Sequence, residues 1–389
     1  MLACTSIKGT DKQNCIMMLV SMLFAAPQYT QTKCQQSRPS EVSESLPSGA
    51  GSELSPSEVL EPIPNETYTA NYMAASSTAT EDYLLPTETE SSNNSTSGGR
   101  MFMPYLDVSS NPDLLDISTK SGSKFFTLAF ITAANDAITF DGNPLSEYSP
   151  FYLDKIQALR AAGGDVGISI GGLAGQELAT AITDLAKLIA AYQSVIDIYS
   201  LKYIDIDVEG AANLGKDVVD RRSKALVAIQ TKNPALKITF TLPVLPSGLV
   251  DTGVYLLKSA SAAGLIPFEI RVMSMDFGPP ATNGEMGKLV IQSAEAVHKQ
   301  IDSTFTGKKP SVGIIPMIGV NDVVTEIFGL VDARAVLAFA QKSSWVSCLS
   351  FWSLNRDRAS TYSSSTASST SSSIKQDDYA FAKIFSEFK

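Results

Sequence analysis

The 389-residue chain carries a formal net charge of −10, with 44% hydrophobic and 18% charged residues. That acidic balance argues against nucleic acid and anionic membrane surfaces as partners, and suits a neutral polymer or a small ligand. The length allows two average domains or one large barrel with appendages.

Residues 1–34 read as a leader segment. Cys15 to Pro27 is an apolar run too short to span a bilayer and long enough for a signal-peptide core, with Lys8 and Lys12 ahead of it and small residues behind. Secretion is therefore expected, with no membrane span in the mature protein. Residues 35–100 form a Ser, Thr, Pro and Glu-rich stalk with few large apolar side chains. Such a stretch buries too little to offset its ordering entropy, so disorder is expected. The sequons Asn65-Glu66-Thr67, Asn93-Asn94-Ser95 and Asn94-Ser95-Thr96 all lie in this stalk, as expected of a secreted glycoprotein.

From residue 101 to 389 apolar runs alternate with helical patterns. The strand candidates are Met103–Val108, Lys124–Thr132, Asp165–Ile170, Leu201–Val208, Lys237–Leu242, Phe268–Met275, Ser311–Met317 and Trp345–Trp352. Eight strands is the number that closes a TIM (β/α)8 barrel, an α/β fold with helices wrapped outside. Helical spacing of apolar residues marks Asp184–Tyr199, Asp220–Gln230, Met286–Ile301 and Ala333–Lys342. The Ser/Thr tract Ser360–Ser373 reads as a flexible loop. A last helix follows it, with Phe381, Ile384, Phe385 and Phe388 turned to the core.

In the fourth strand candidate three carboxylates recur at every second residue. A strand points Asp205, Asp207 and Glu209 to one face and Ile204, Ile206 and Val208 to the other. Neighbouring acids would lie roughly 6–7 Å apart along the strand. Like charges that close resist joint ionisation, so at least one keeps its proton to higher pH, which is how a general acid is made. Solvated acids on an edge strand are the alternative. The β-branched opposite face and the terminal Gly210 fit a buried parallel strand that lifts acids to its C-terminal end.

Other chemistries are poorly supplied. His298 is the only histidine and sits in a helical pattern, and the four cysteines, Cys4, Cys15, Cys34 and Cys348, show neither zinc-site nor disulfide-framework spacing. No metal and no cofactor are expected.

The run Asp205-Ile206-Asp207-Val208-Glu209-Gly210 resembles the strand-four signature of glycoside hydrolase family 18, the chitinases, whose pattern is Asp-Gly-x-Asp-x-Asp-x-Glu. Ser169-Ile170-Gly171-Gly172 is similar to the family's Ser-x-Gly-Gly at the end of strand three. Met273-Ser274-Met275-Asp276 is similar to its strand-six Met-x-Tyr-Asp, and Trp352 falls where strand eight carries the tryptophan that floors the sugar site. The four landmarks come in family order. Two positions depart: Lys202-Tyr203 stand for the first Asp-Gly, and Met275 for the strand-six tyrosine. Both resemble a bacterial-type subgroup with a short Asp-x-Asp-x-Glu motif. Met275 cannot donate a hydrogen bond to the sugar acetamide, and Lys202 cannot relay a proton.

The resemblance implies substrate-assisted retaining cleavage of β-1,4-linked N-acetylglucosamine polymers. Glu209 would protonate the leaving oxygen, Asp207 would hold the acetamide, and Asp205 would tune Asp207. Asp276, Trp352, Met275, Gly171 and Gly172 would border the sugar, and Tyr105 and Asp107 could reach it. The expected partner is chitin or a chito-oligosaccharide, bound by a monomer. The alternative is a chitin-binding lectin-like protein with little turnover; the intact Glu209 speaks for the enzyme. Cleavage of N-glycan cores or peptidoglycan would use the same residues.

Overall fold

The computed structural model describes residues 99–134, 137–146, 148–278 and 285–389. The leader expected at 1–34 and the stalk up to residue 98 lie outside the described residues.

Eight parallel staves follow in chain order. The first is Met101–Phe102 with Tyr105–Asp107, then Phe125–Ala134, Asp165–Gly171, Tyr203–Asp207, Lys237–Pro243, Glu269–Met273, Ser311–Ile315 and Val346–Leu349. Each pairs in parallel with the next, from the second through to the eighth. The first stave closes the ring. Its opening residues pair with the eighth, Met101 against Cys348 and Phe102 against Leu349, and its later residues pair with the second, Tyr105 against Thr127 and Asp107 against Ala129. Pro104 lacks an N–H and interrupts this stave, yet its carbonyl still accepts the Thr127 N–H at 2.9 Å.

A stave buried on both faces needs apolar residues on its outer side, where the helices pack. Ile168, Ile170, Ile204, Ile206, Phe240, Ile270 and Val272 are all fully buried there. Helices follow every stave: Leu114–Ser121, Leu153–Ala161, Leu185–Tyr199 (preceded by the short Leu178–Ala181), Lys216–Lys232, Asp251–Ala263, Met286–Thr304, Leu330–Lys342 and Ala380–Phe385. The expected helices are thus present, each within a few residues of its expected ends. Among the described residues no helix is long and apolar enough to cross a membrane.

The last helix docks as the periodicity predicts, with Phe381, Ile384, Phe385 and Phe388 buried. Asp357 caps its start, accepting the Phe381 N–H at 3.2 Å and the Ala382 N–H at 2.8 Å. The Ser/Thr tract before it, expected as a flexible loop, lacks regular structure but is tied down. Ser368 accepts from the Arg356 guanidinium at 2.8 Å, and Ser372 accepts the Val320 N–H at 2.9 Å. Val320 belongs to a small hairpin, Gly319–Val320 against Ile327–Phe328, that follows the seventh stave.

Candidate active site

Asp205 and Asp207 stand in register with Ser169 and Gly171 on one side and with Thr239 and Thr241 on the other. Small residues flank the acids because the third stave runs very close. Gly171 has φ of 120°, and a Cβ there would overlap the Asp207 carbonyl oxygen; Gly172 has φ of 79°, and a Cβ there would come within 2.9 Å of the Phe130 ring. The Gly172 N–H also donates to the Asp207 carbonyl at 3.2 Å. The pair therefore serves by close packing. Just past the stave, Gly210 takes φ of 76° and ψ of 151°, a combination essentially restricted to glycine, and turns the chain immediately after Glu209.

Asp205 is buried and collects four hydroxyl contacts. Tyr105 and Ser169 donate to one oxygen at 2.6 and 2.7 Å, and Thr239 and Thr241 donate to the other at 2.6 and 2.8 Å. Tyr105, expected near the sugar, thus turns its hydroxyl to Asp205 and has Thr241 2.9 Å away. Burial, and then the charges of Asp205 and Asp207, raise its phenol well above the ordinary range. A buried ion pair also fills the barrel interior: Arg271 donates to Glu269 at 2.6 Å and to Thr127 at 2.8 Å.

Asp207 is buried too, and its Oδ1 has no hydrogen-bond partner. Burial first, then Glu209 and Asp205, push its carboxyl well above the usual range. Glu209, half-buried at the C-terminal mouth, is pushed up to about 7 by burial; Asp322 adds to this, while contacts to the Asp207 carboxyl and the Leu173 N–H oppose it. Two adjacent carboxyls, both held above the ordinary carboxylate range, keep a proton between them where free carboxyls would have lost it, the electrostatic condition for an acid that donates and later accepts.

A second acidic group faces them from the sixth and seventh loops. Asp276, in a left-handed conformation with φ of 52°, accepts the Val323 N–H at 2.7 Å. Burial, then Asp322, pushes it up to about 7. Glu326 accepts the Phe277 and Gly278 N–H groups at 3.1 and 2.7 Å and so ties the two loops together. The Arg356 guanidinium, lowered to about 10 by burial, offsets part of the charge of Asp322 and Asp276. Asp322, Glu326 and Arg356 carry no alternation or motif, and sequence reasoning missed them.

Trp352 is half-buried in a small cluster with Tyr105, Ala129, Phe130, Met275 and Ile315. Its ring stacks on Phe130 at 5.8 Å and 27° and meets Tyr105 edge-on at 5.9 Å. Phe130 went unnoticed because it is one apolar residue among many in its stave. Asp107 accepts the Ser109 N–H at 2.8 Å, and its backbone is pinned by the Asn355 amide. Lys202 lies at the opposite end of its stave from Glu209, exposed, with its ammonium 2.9 Å from Asp165. His298 stacks on Trp345 with ring centroids 4.3 Å apart, on an outer helix.

No family model matches the chain. The chain is 32% identical over 308 residues, 74% of its length, to a probable bifunctional chitinase/lysozyme of Escherichia coli, of which it covers 34%. It is 34% identical over 275 residues, 66% of its length, to endochitinase 11 of Metarhizium anisopliae, of which it covers 52%. The chain thus spans about a third and about half of these curated relatives. The catalytic domain of the hyperthermophilic chitinase from Pyrococcus furiosus superposes with a TM-score of 0.67 at 28% identity, covering 74% of this chain and 94% of that one.

Proposed function

We propose that the chain is a chitinase of glycoside hydrolase family 18 whose barrel hydrolyses β-1,4-linked N-acetylglucosamine polymers by substrate-assisted retaining catalysis. The reading is carried by one observation: Glu209, pushed up to about 7, stands at the barrel mouth beside Asp207, whose Oδ1 is buried and unpartnered. Glu209 gives its proton to the glycosidic oxygen as that bond breaks. The acetamide carbonyl oxygen of the same sugar attacks the anomeric carbon and forms an oxazolinium ion. Asp207 accepts the acetamide N–H through the oxygen that lacks a partner; the forming cation favours the ionised carboxylate, which in turn offsets the positive charge. Water then adds to the anomeric carbon, Glu209 takes the water proton, and the acetamide is restored with retained configuration.

Asp205 lies two residues deeper on the same face, its carboxylate fixed by four hydroxyl contacts, and acts on Asp207 through its charge. Trp352 and Phe130 offer an apolar floor for the sugar face, and Asp276 keeps one carboxyl oxygen for a sugar hydroxyl or amide. The reading extends to a secreted protein, on the strength of the Cys15–Pro27 run and the three stalk sequons.

Purified protein is expected to release chito-oligosaccharides from chitin, and Glu209→Gln to lower the rate at least about a hundredfold with the fold retained. Wild type that binds chitin and releases nothing would turn the assignment to the lectin-like alternative.

A further inference from the structure

Glu209 stands beyond the last hydrogen-bonded residue of its stave and needs other anchors. One reaches its backbone: the Asn213 side-chain amide donates to the Glu209 carbonyl at 2.6 Å. That carbonyl can only accept, so the amide nitrogen must face it. The amide oxygen then takes the Thr180 hydroxyl at 2.6 Å. Asn213 is itself held, because its carbonyl accepts from Arg222 at 3.0 Å.

Arg222 and Glu177 form a fully buried ion pair. The guanidinium donates twice to one Glu177 oxygen, at 2.9 and 2.8 Å, and the other oxygen takes the Tyr192 hydroxyl. Such a pair adds little net stability over apolar residues of the same volume, and here the Arg222 Nη1 is left buried and unpartnered. Its placement supplies a purpose. Glu177 belongs to the loop after the third stave, which also brings the Leu173 N–H to Glu209. Arg222 belongs to the helix Lys216–Lys232 after the fourth. The pair locks together the two loops that grip the acid.

We propose that Asn213, clamped by Thr180 and by the buried Arg222–Glu177 pair, is a positioning residue that aims the Glu209 carboxyl at the glycosidic oxygen. The proposal rests on the assignment of Glu209 as the proton donor. Asn213 touches no reacting atom, so its loss damages the step that needs an aimed proton more than any other. An aryl glycoside with a nitrophenolate leaving group departs with little protonation; a sugar alkoxide does not.

The test compares Asn213→Ala and wild type on chito-oligosaccharides and on a nitrophenyl chitobioside, with thermal denaturation run alongside. The kcat of Asn213→Ala should fall about a hundredfold on the oligosaccharide and less than about tenfold on the aryl substrate, with KM within about twofold for both. Thr180→Val, nearly isosteric, should show the same leaving-group dependence at smaller amplitude, and it carries the comparison if Asn213→Ala does not fold. Equal losses on the two substrates, or no loss, would overturn the positioning role while leaving the glycosidase assignment standing. Wild type that cleaves neither substrate would overturn both.

Discussion

Replacing Glu209 by Gln should lower turnover at least about a hundredfold and, at pH 8, make the protein more stable. The folded state holds this carboxyl's proton up to about pH 7, against 4.5 for an ordinary glutamate. Between those values the native state binds more protons than the unfolded chain, so stability falls as pH rises through the window and levels off above it. At about 1.36 kcal/mol per pH unit the full penalty is roughly 3 kcal/mol; solvent at the mouth and the contact with Asp207 reduce it to roughly 1–3 kcal/mol. Glutamine matches the protonated form in shape and carries no charge, so it escapes the penalty. A gain of that size raises the melting temperature of a domain this large by roughly 2–5 °C. Scanning calorimetry of both proteins at pH 4, 6 and 8 measures it: the gap should be widest at pH 8 and close towards pH 4. A variant that melts at or below wild type at pH 8, or a gap that does not depend on pH, would refute burial of a charged Glu209 as the source of its raised value.

With Glu209 as the proposed donor, the same titration predicts that kcat/KM on oligosaccharides declines as pH rises through about 7, because its proton is lost; a rate still climbing at pH 8 would contradict it. Gly171→Ala combines a positive φ of 120° with overlap of the Asp207 carbonyl, and should lower stability by roughly 3 kcal/mol or more, seen as a melting point several degrees down. Lys202→Ala should leave the rate and the pH profile unchanged, since its ammonium pairs with Asp165 at the far end of the barrel and is mostly exposed.

The barrel was readable because its outer stave positions are Ile, Val and Phe in runs of strand length, and the first stave's break at Pro104 displaced only its ends. The helices Leu114–Ser121, Leu153–Ala161 and Asp251–Ala263 were not singled out: the first two span only eight and nine residues, and the third buries the small Gly253 and Ala260 beside Leu256 and Leu257. Asp205, Asp207 and Glu209 were readable because one strand carries all three in a fixed alternation. Asp322, Glu326, Asn213 and the Glu177–Arg222 pair come from four separate loops and helices and meet only through the closed ring. Met275 and Lys202 looked like defects in the motif. Lys202 proves remote from the mouth, and Met275 joins the apolar cluster around Trp352.

What the sequence alternation could not express is how differently one strand treats three equal carboxylates. Asp205 is surrounded by hydroxyl donors, Asp207 is buried with one oxygen unserved, and Glu209 faces the mouth with a backbone N–H and a neighbouring carboxyl for company. Beyond Asp205 the protein supplies few donors, none to the Asp207 Oδ1 and one backbone N–H to Glu209, and leaves the rest for a ligand to supply. An acetamide N–H offers what Asp207 lacks, and a glycosidic oxygen accepts what Glu209 holds. Hydrogen-bond supply along a single stave thus fits the proposed roles, in which the deepest acid anchors, the middle one takes a donor from the substrate, and the outermost gives up its proton.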